Sequence, residues 1–316
     1  MLTIFQTKVM FLRTKMRNIS FFFYLYYLEK IIIYIKNKDY YTMAKQEKIL
    51  VAWDFSPKAQ IALEHALQLA EISNAQVELV HIINDEENYT EACERMDKAV
   101  ENTSVEFGID VSYVVKEGNV FTTLGEYAVE IEAILVLMGT HGMKGMQKLT
   151  GSWALKVIAS SKVPFIVVQG SPRNKHYSNI VFPVDFRKES KLKLQWVSYL
   201  AENFKLLVNI LVPNTSDSLH AKKIKHNLEF AKKYLGDKDI KFEIHESKAK
   251  GSFVKQTLDF AKYIGADLII VVITRNIGLN DYMFGADEQK LIANNQEIPV
   301  MCIQPRLDTK VYSRFF

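Results

Sequence analysis

The chain runs twice through the same order of elements, and that repetition constrains its fold more than any other feature. From Lys48 onward, short β-branched apolar runs alternate with longer stretches of helical period, the pattern of an α/β fold built on parallel strands. In the first pass the predicted strands are 49–53, 76–82, 110–115, 133–138 and 165–168, with helices predicted at 58–72, 89–106, 120–130 and 152–159. The second pass gives strands 180–184, 206–211, 241–245, 268–273 and 300–303, with helices at 188–203, 219–235, 253–264 and 286–295. Single residues recur as well. Asp54-Phe55-Ser56 answers Asp185-Phe186-Arg187, Gly118 answers Gly251, and the run from Lys162 through Pro164 to Gln169 answers that from Glu297 through Pro299 to Gln304. Self-similarity on this scale predicts two tandem, doubly wound, parallel five-stranded sheets of strand order 3-2-1-4-5. The expected domains are 43–171 and 178–306, followed by a tail at 307–316, with 170–178 around Pro172 as the linker.

A length of 316 residues suits two domains, which usually run to roughly 100–200 residues each. Hydrophobic content of 48% and charged content of 24% allow each half a core without disulfides or metals. Cys93 and Cys302 fall in different halves, form no CxxC pair and have no metal-ligand spacing with any histidine, so reduced thiols and a cytoplasmic location are expected. The net charge of +4 is small for this length and gives no case for a nucleic-acid partner; a polyanion binder would need its cations gathered into a patch. Positions 1–42 contain no Gly, Ala or Pro and are crowded with Phe, Ile, Tyr, Lys and Asn. They are expected to be an extension outside the domains, upstream sequence ahead of a start at Met43. The competing reading is a membrane anchor, since Arg13, Lys15 and Arg17 precede an apolar run. Glu29 and Lys30 inside that run count against it, at about 2.5–3.5 kcal/mol each at a membrane centre.

The chemistry gathers at the end of the fourth strand, in Met138-Gly139-Thr140-His141-Gly142, and at the next helix, which opens with Gly151-Ser152-Trp153. Glycines let a backbone approach an anion closely, and the first turn of a helix adds free amides. In a doubly wound sheet the ligand crevice lies beyond the carboxyl ends of the strands where their order reverses, here between strands one and four. Strand one ends at Asp54, so both features meet in one crevice. Asp54 read alone is equally a turn-forming or helix-capping acid ahead of Pro57. There is no Walker A sequence and no G-x-G-x-x-G after a strand, which disfavours P-loop and dinucleotide enzymes.

Asp54-Phe55-Ser56, Val80-His81-Ile82, Gly139-Thr140-His141-Gly142 with Gly151-Ser152, and Val163-Pro164 together resemble the universal stress protein family, over both repeats from Lys45 to Pro305. The ATP-binding members carry nine residues between the second and third glycines of the motif, where this chain has eight. The resemblance implies a Rossmann-like adenine-nucleotide-binding fold that holds ATP, or AMP or ADP, with Mg2+ carried by the phosphates. Asp54, with Ala52 beside it, would hold the adenosine part and the Ile82 backbone would meet adenine. Met138 and Gly139 would line base and ribose, Thr140 and His141 would follow in the loop, and Gly142, Gly151, Ser152 and the Trp153 amide would take the phosphates. Lys144 and Lys148 read equally as phosphate counter-charges and as solvated loop lysines. His141 has no second base, nucleophile or metal cluster for company, so no catalytic residue is expected and turnover is at most slow ATP hydrolysis.

The second repeat reads Ile273-Thr274-Arg275-Asn276, then eight residues, then Gly285-Ala286-Asp287. In this alignment Ile273 replaces a glycine, Ala286 lacks the hydroxyl, and Asp287 with Glu288 satisfies the amides that a phosphate would use. The expectation is a stress-response nucleotide sensor with one live site and one degenerate site. The alternatives are a slow ATP hydrolase or phosphate donor, and a nucleotide-free interaction scaffold with a protein partner. The two fifth strands would be sheet edges, so the repeats are expected to pair through them within the chain, leaving any further homodimer to other surfaces.

Overall fold

The computed structural model describes residues 46–84, 88–107, 109, 111–140, 151–174, 176–247, 251–273 and 286–305. The expectations for 1–42, for a start at Met43 and for the tail at 307–316 lie outside the described residues. The first repeat runs β1 (Lys48–Ala52), α1 (Pro57–Ser73), β2 (Gln76–Ile83), α2 (Tyr89–Phe107), β3 (Ser112–Glu117), α3 (Val120–Glu130), β4 (Leu135–Gly139), α4 (Gly151–Ser160) and β5 (Phe165–Val168). The second runs β6 (Asn179–Pro183), α5 (Lys193–Asn203), β7 (Leu207–Val212), α6 (Ser218–Asp237), β8 (Phe242–Glu246), α7 (Phe253–Tyr263), β9 (Leu268–Val272), α8 (Ala286–Ile292) and β10 (Val300–Ile303).

The strands lie in one ten-stranded sheet of order β3-β2-β1-β4-β5-β10-β9-β6-β7-β8. Each half therefore has the order 3-2-1-4-5. Ladders inside each half are parallel, and the join between β5 and β10 is antiparallel, with Val300 opposite Val167, Met301 opposite Ile166 and Cys302 opposite Phe165. Helices cover both faces of a parallel sheet, so its central strands are apolar on both sides. Accordingly every residue of β5 and β10 is buried, while the outer strands β3 and β8 carry Lys116, Glu117, Glu243 and Glu246. Charge on an edge strand discourages pairing with another chain.

The predicted single helix 188–203 divides: Lys188–Leu192 is a 3-10 turn, and only Lys193–Asn203 is α-helical. In the first repeat the Ser56 side chain accepts from the Ala59 amide and Pro57 occupies the first turn, so α1 starts cleanly. Arg187 stands in the place of Ser56 and makes no capping hydrogen bond, which leaves the first turn to tighten into i→i+3 bonding.

The join is polar at its rim and reciprocal. Gln304 donates to the Ile158 carbonyl in the other repeat at 2.7 Å, and Gln169 donates to the Ile292 carbonyl. The predicted linker is packed rather than loose. Asp267 accepts from the Ser178 and Asn179 amides, each at 2.8 Å, and from the Asn174 side chain at 2.6 Å. Tyr177 is buried, its hydroxyl 2.8 Å from His65 Nδ1, while His65 Nε2 lies 3.0 Å from the Gly170 carbonyl. The carbonyl can only accept, so Nε2 carries the proton and Nδ1 accepts from Tyr177.

Burial lowers the pKa of His65 to about 4. Because this histidine titrates lower in the folded chain, its neutral form stabilises the fold at full strength above pH ~6.5, and that stability is lost as the pH falls towards about 4. The contribution is at most about 3 kcal/mol. Denaturant unfolding of the wild type and of His65→Gln between pH 7.5 and 4.5 should show a shallower pH dependence in the variant; parallel curves would mean that His65 is not the group responsible.

Candidate functional site

The sheet order reverses between β1 and β4, and a cleft opens there beyond their carboxyl ends. Its walls are apolar: Ala52, Val80, Ile82 and Met138 from the strands, with Val120 and Leu124 from α3. Asp54 stands at its mouth and Gly139 at its floor. The cavity measures about 80 Å3, room for roughly six waters at about 10–15 Å3 each. Val120 and Leu124 were not singled out from sequence, although their i,i+4 spacing just after Gly118 puts both on one helical face.

The chain leaves β1 through a strained turn. Phe55 has φ of 59°, a left-handed conformation that costs a bulky L-residue roughly 1–2 kcal/mol. Its ring packs edge-on against His81 at 4.7 Å, and the Arg95 guanidinium lies 3.8 Å from the ring centroid. The reversal brings Asp54 out of the strand into solvent. There Oδ1 accepts from the Ser56 amide at 3.0 Å, and Oδ2 has no partner among the described residues.

Gly139 owes its identity to packing. Its backbone is not left-handed, but a Cβ at this position would lie 2.0 Å from the Lys58 carbonyl oxygen, so only glycine lets α1 start against β4. Positive φ, expected of the glycines here, is therefore not what requires glycine at this position. Thr140 is fully buried, and its hydroxyl accepts from Gln169 at 3.2 Å, so its side chain belongs to the join between repeats and not to the cleft. Ala52, Asp54, Ile82, Met138 and Gly139 share the cleft. Gly151, Ser152 and Trp153 form the first turn of α4. His141, Gly142, Lys144 and Lys148 lie outside the described residues.

The second repeat differs at the matching place. Ile273 N donates to the Ile303 carbonyl at 2.8 Å as Thr140 N donates to that of Val168 at 2.9 Å. Ile273 therefore answers Thr140, and the residue in the place of Gly139 is Val272, not Ile273 as the sequence alignment has it. With that register the spacing is one residue longer in the second repeat: eleven residues separate Gly139 from Gly151, and twelve separate Val272 from Gly285. Asp185 is occupied. Arg187 donates from Nε to Asp185 Oδ2 at 2.6 Å and from its amide to Oδ1 at 3.1 Å. Beside them Lys193 is buried, donates to the Pro183 carbonyl and lies 4.5 Å from the Phe182 ring centroid; burial lowers its pKa to about 8.

The Gly139 contact predicts that Gly139→Ala lowers stability by about 1–3 kcal/mol, since backbone must move to admit the methyl group. Gly236→Ala, near the end of α6 with nothing within 4 Å of the added carbon, should be neutral or gain up to about 1 kcal/mol. Urea unfolding of both variants checks the pair, and equal effects would refute the packing argument.

Residues 46–169 match the model of the universal stress protein family. A universal stress protein of Methanocaldococcus jannaschii is 26% identical over 139 residues, covering 39% of this chain and 82% of the relative. Universal stress protein A homolog 1 of Coxiella burnetii is 26% identical over 125 residues, covering 35% and 87%. The crystal structure of a universal stress protein from Archaeoglobus fulgidus superposes with a TM-score of 0.65 at 17% identity over 82% of this chain and 98% of its own, which shows a shared fold. With the same strand order and a family match over residues 46–169, the first repeat matches the universal stress protein family along its length, and the second repeats its strand order.

Proposed function

We propose that the first repeat binds ATP in the cleft between β1 and β4, that the second repeat does not, and that the chain works as a nucleotide-dependent sensor or switch in a stress response. One contrast carries this reading: among the described residues Asp54 keeps an oxygen unpartnered at the mouth of an apolar cleft, whereas both oxygens of Asp185 are held by Arg187. A flat, weakly polar base suits walls of Ala52, Val80, Ile82, Leu124 and Met138, and a carboxylate at the rim suits ribose hydroxyls, which donate hydrogen bonds. The first-turn amides of α4 are the natural seat for phosphate, with Gly142 and Gly151 in the roles that the family resemblance implies. Mg2+ would arrive with the phosphates; among the described residues no cluster of His, Cys, Asp or Glu could hold a metal by itself.

In this reading Arg187 is a built-in blockade. It neutralises the carboxylate and fills the hydrogen-bonding position that ribose would use, while Lys193 places a second cation at the foot of the same crevice. Losing a charge-assisted hydrogen-bond partner costs about 1.5–3 kcal/mol, enough for a tenfold or greater change in affinity.

Isothermal titration of the full chain with Mg-ATP should give one site per chain. Asp54→Ala should weaken binding at least about tenfold, and Asp185→Ala should leave it unchanged. Two sites per chain, or equal sensitivity to the two substitutions, would overturn the assignment. The same titration followed for ADP separates a switch from a slow hydrolase, since a switch releases less than one equivalent per chain.

A further inference from the structure

The net charge of the chain is small, but its cations are not spread evenly. Between the 3-10 turn Lys188–Leu192 and α6, a groove of about 660 Å3 is lined by Arg187, Lys188, Lys191, Lys222, Lys223 and His226, and among the described residues no acidic residue lines it. Arg187 is committed to Asp185, which leaves four lysines as the net charge of the groove. Asn227 ties the two walls together, donating to the Asp185 carbonyl at 2.8 Å and to the Arg187 carbonyl at 2.9 Å. Lys191 Nζ sits 3.3 Å from His226 Nε2 and donates to it, so a hydrogen bond joins the two walls. The nearby acids are engaged elsewhere: Asp217 caps α6 and meets His220, and Glu229 pairs with Lys232. Glu189 is on the turn but not in the lining.

Aromatic rings accompany the cations. Phe186, at one end of the groove, is 41% exposed and stacks on His220 at 3.9 Å with the planes 9° apart. Phe230, one helical turn beyond His226, is 42% exposed with Lys191 Nζ 4.2 Å from its centroid. An exposed phenylalanine fixed against a second ring is a ready platform for a planar base, and a row of lysines follows a phosphate backbone. A plain anion site needs the lysines and gains nothing from the rings. A DNA duplex keeps its bases stacked inside and would leave the rings unused.

We propose that this groove binds single-stranded nucleic acid, with Lys188, Lys191, Lys222 and Lys223 on the phosphates and Phe186 stacking a base. It lies beyond the carboxyl ends of β6 and β7, the end of the second repeat that corresponds to the nucleotide end of the first. The blocked crevice and the basic groove share Arg187 and Phe186, so the substitutions that close one site help to build the other. The groove is independent of the ATP reading.

The test is fluorescence anisotropy of the full chain with a labelled oligothymidylate of about twelve nucleotides, a length within the usual range of site sizes. Binding should weaken with salt at a log–log slope of about −3, as expected for four lysines on a single strand. Changing those four lysines to Gln should flatten the slope and lower affinity by about a hundredfold or more. Phe186→Ala should cost about tenfold and leave the slope unchanged. Phe186→Leu, which keeps apolar packing on His220, should show the same loss if stacking is the cause. Asp54→Ala should have no effect. Absence of binding at low salt overturns the proposal. So does indifference to Phe186 together with equal competition by inorganic polyphosphate, the result for a simple anion surface, and so does loss of binding in Asp54→Ala, which would place the oligonucleotide in the other cleft.

Discussion

The antiparallel ladder between β5 and β10 organises everything around it. Each fifth strand is apolar on both faces, Phe165–Val168 on one side and Val300–Ile303 on the other, and either alone would be an exposed apolar edge. Their pairing turns two five-stranded sheets into one of ten, whose remaining edges are the charged strands β3 and β8. Because the ladder is antiparallel inside an otherwise parallel sheet, the carboxyl ends of the strands point in opposite directions along the strand axis in the two halves. The cleft at Asp54 and the groove at Phe186 thus lie beyond opposite strand ends of the same sheet. Gln169 and Gln304 close the ladder by reaching helix-end carbonyls of the opposite repeat, so each buried amide nitrogen has an acceptor.

Two halves of the same fold reach different ends through a few contacts. In the first, Ser56 caps α1, Gly139 admits that helix against β4, and the turn at Phe55 leaves Asp54 with an oxygen to spare among the described residues. In the second, Arg187 stands where Ser56 was and Val272 where Gly139 was; the cap is lost, the helix start tightens, and φ at Phe186 is no longer positive. The ring of Phe186 then lies on His220 rather than inside a cluster like that of Phe55, His81 and Arg95. Fold and strand order survive these exchanges because the sheet rests on strand cores such as Val51, Leu137, Ile180 and Ile269, none of which takes part.

Much of the fold was legible because period and turn chemistry are local. Alternating short β-branched runs and helical stretches marked the strands and helices to within a few residues, and matching residues in the two passes pointed to one architecture used twice. The helix at 188–203 was misread at its start, since a hydrophobic period does not reveal that Arg187 leaves the first turn uncapped. Sequence also placed the repeats one residue out of register at the end of β9. The ladders alone distinguish Val272 from Ile273 as the partner of Gly139, because both are β-branched and fit the pattern equally well.

By itself the sequence determined the layering, the strand order and the crevice that holds Ala52, Asp54, Ile82, Met138 and Gly139, because those follow from periodicity and from where parallel strands end. Only the tertiary structure decided why Gly139 is glycine, that Thr140 turns to Gln169, and that Arg187 engages both oxygens of Asp185. It alone gathered Lys188 and Lys191 with Lys222 and Lys223 into one groove. The physical reason is the same in each case. Contact distance and the summing of charge depend on which groups folding brings within a few ångströms of each other, and neither the two-residue spacing of Asp185 and Arg187 nor the longer separations of the others marks that in the order of residues.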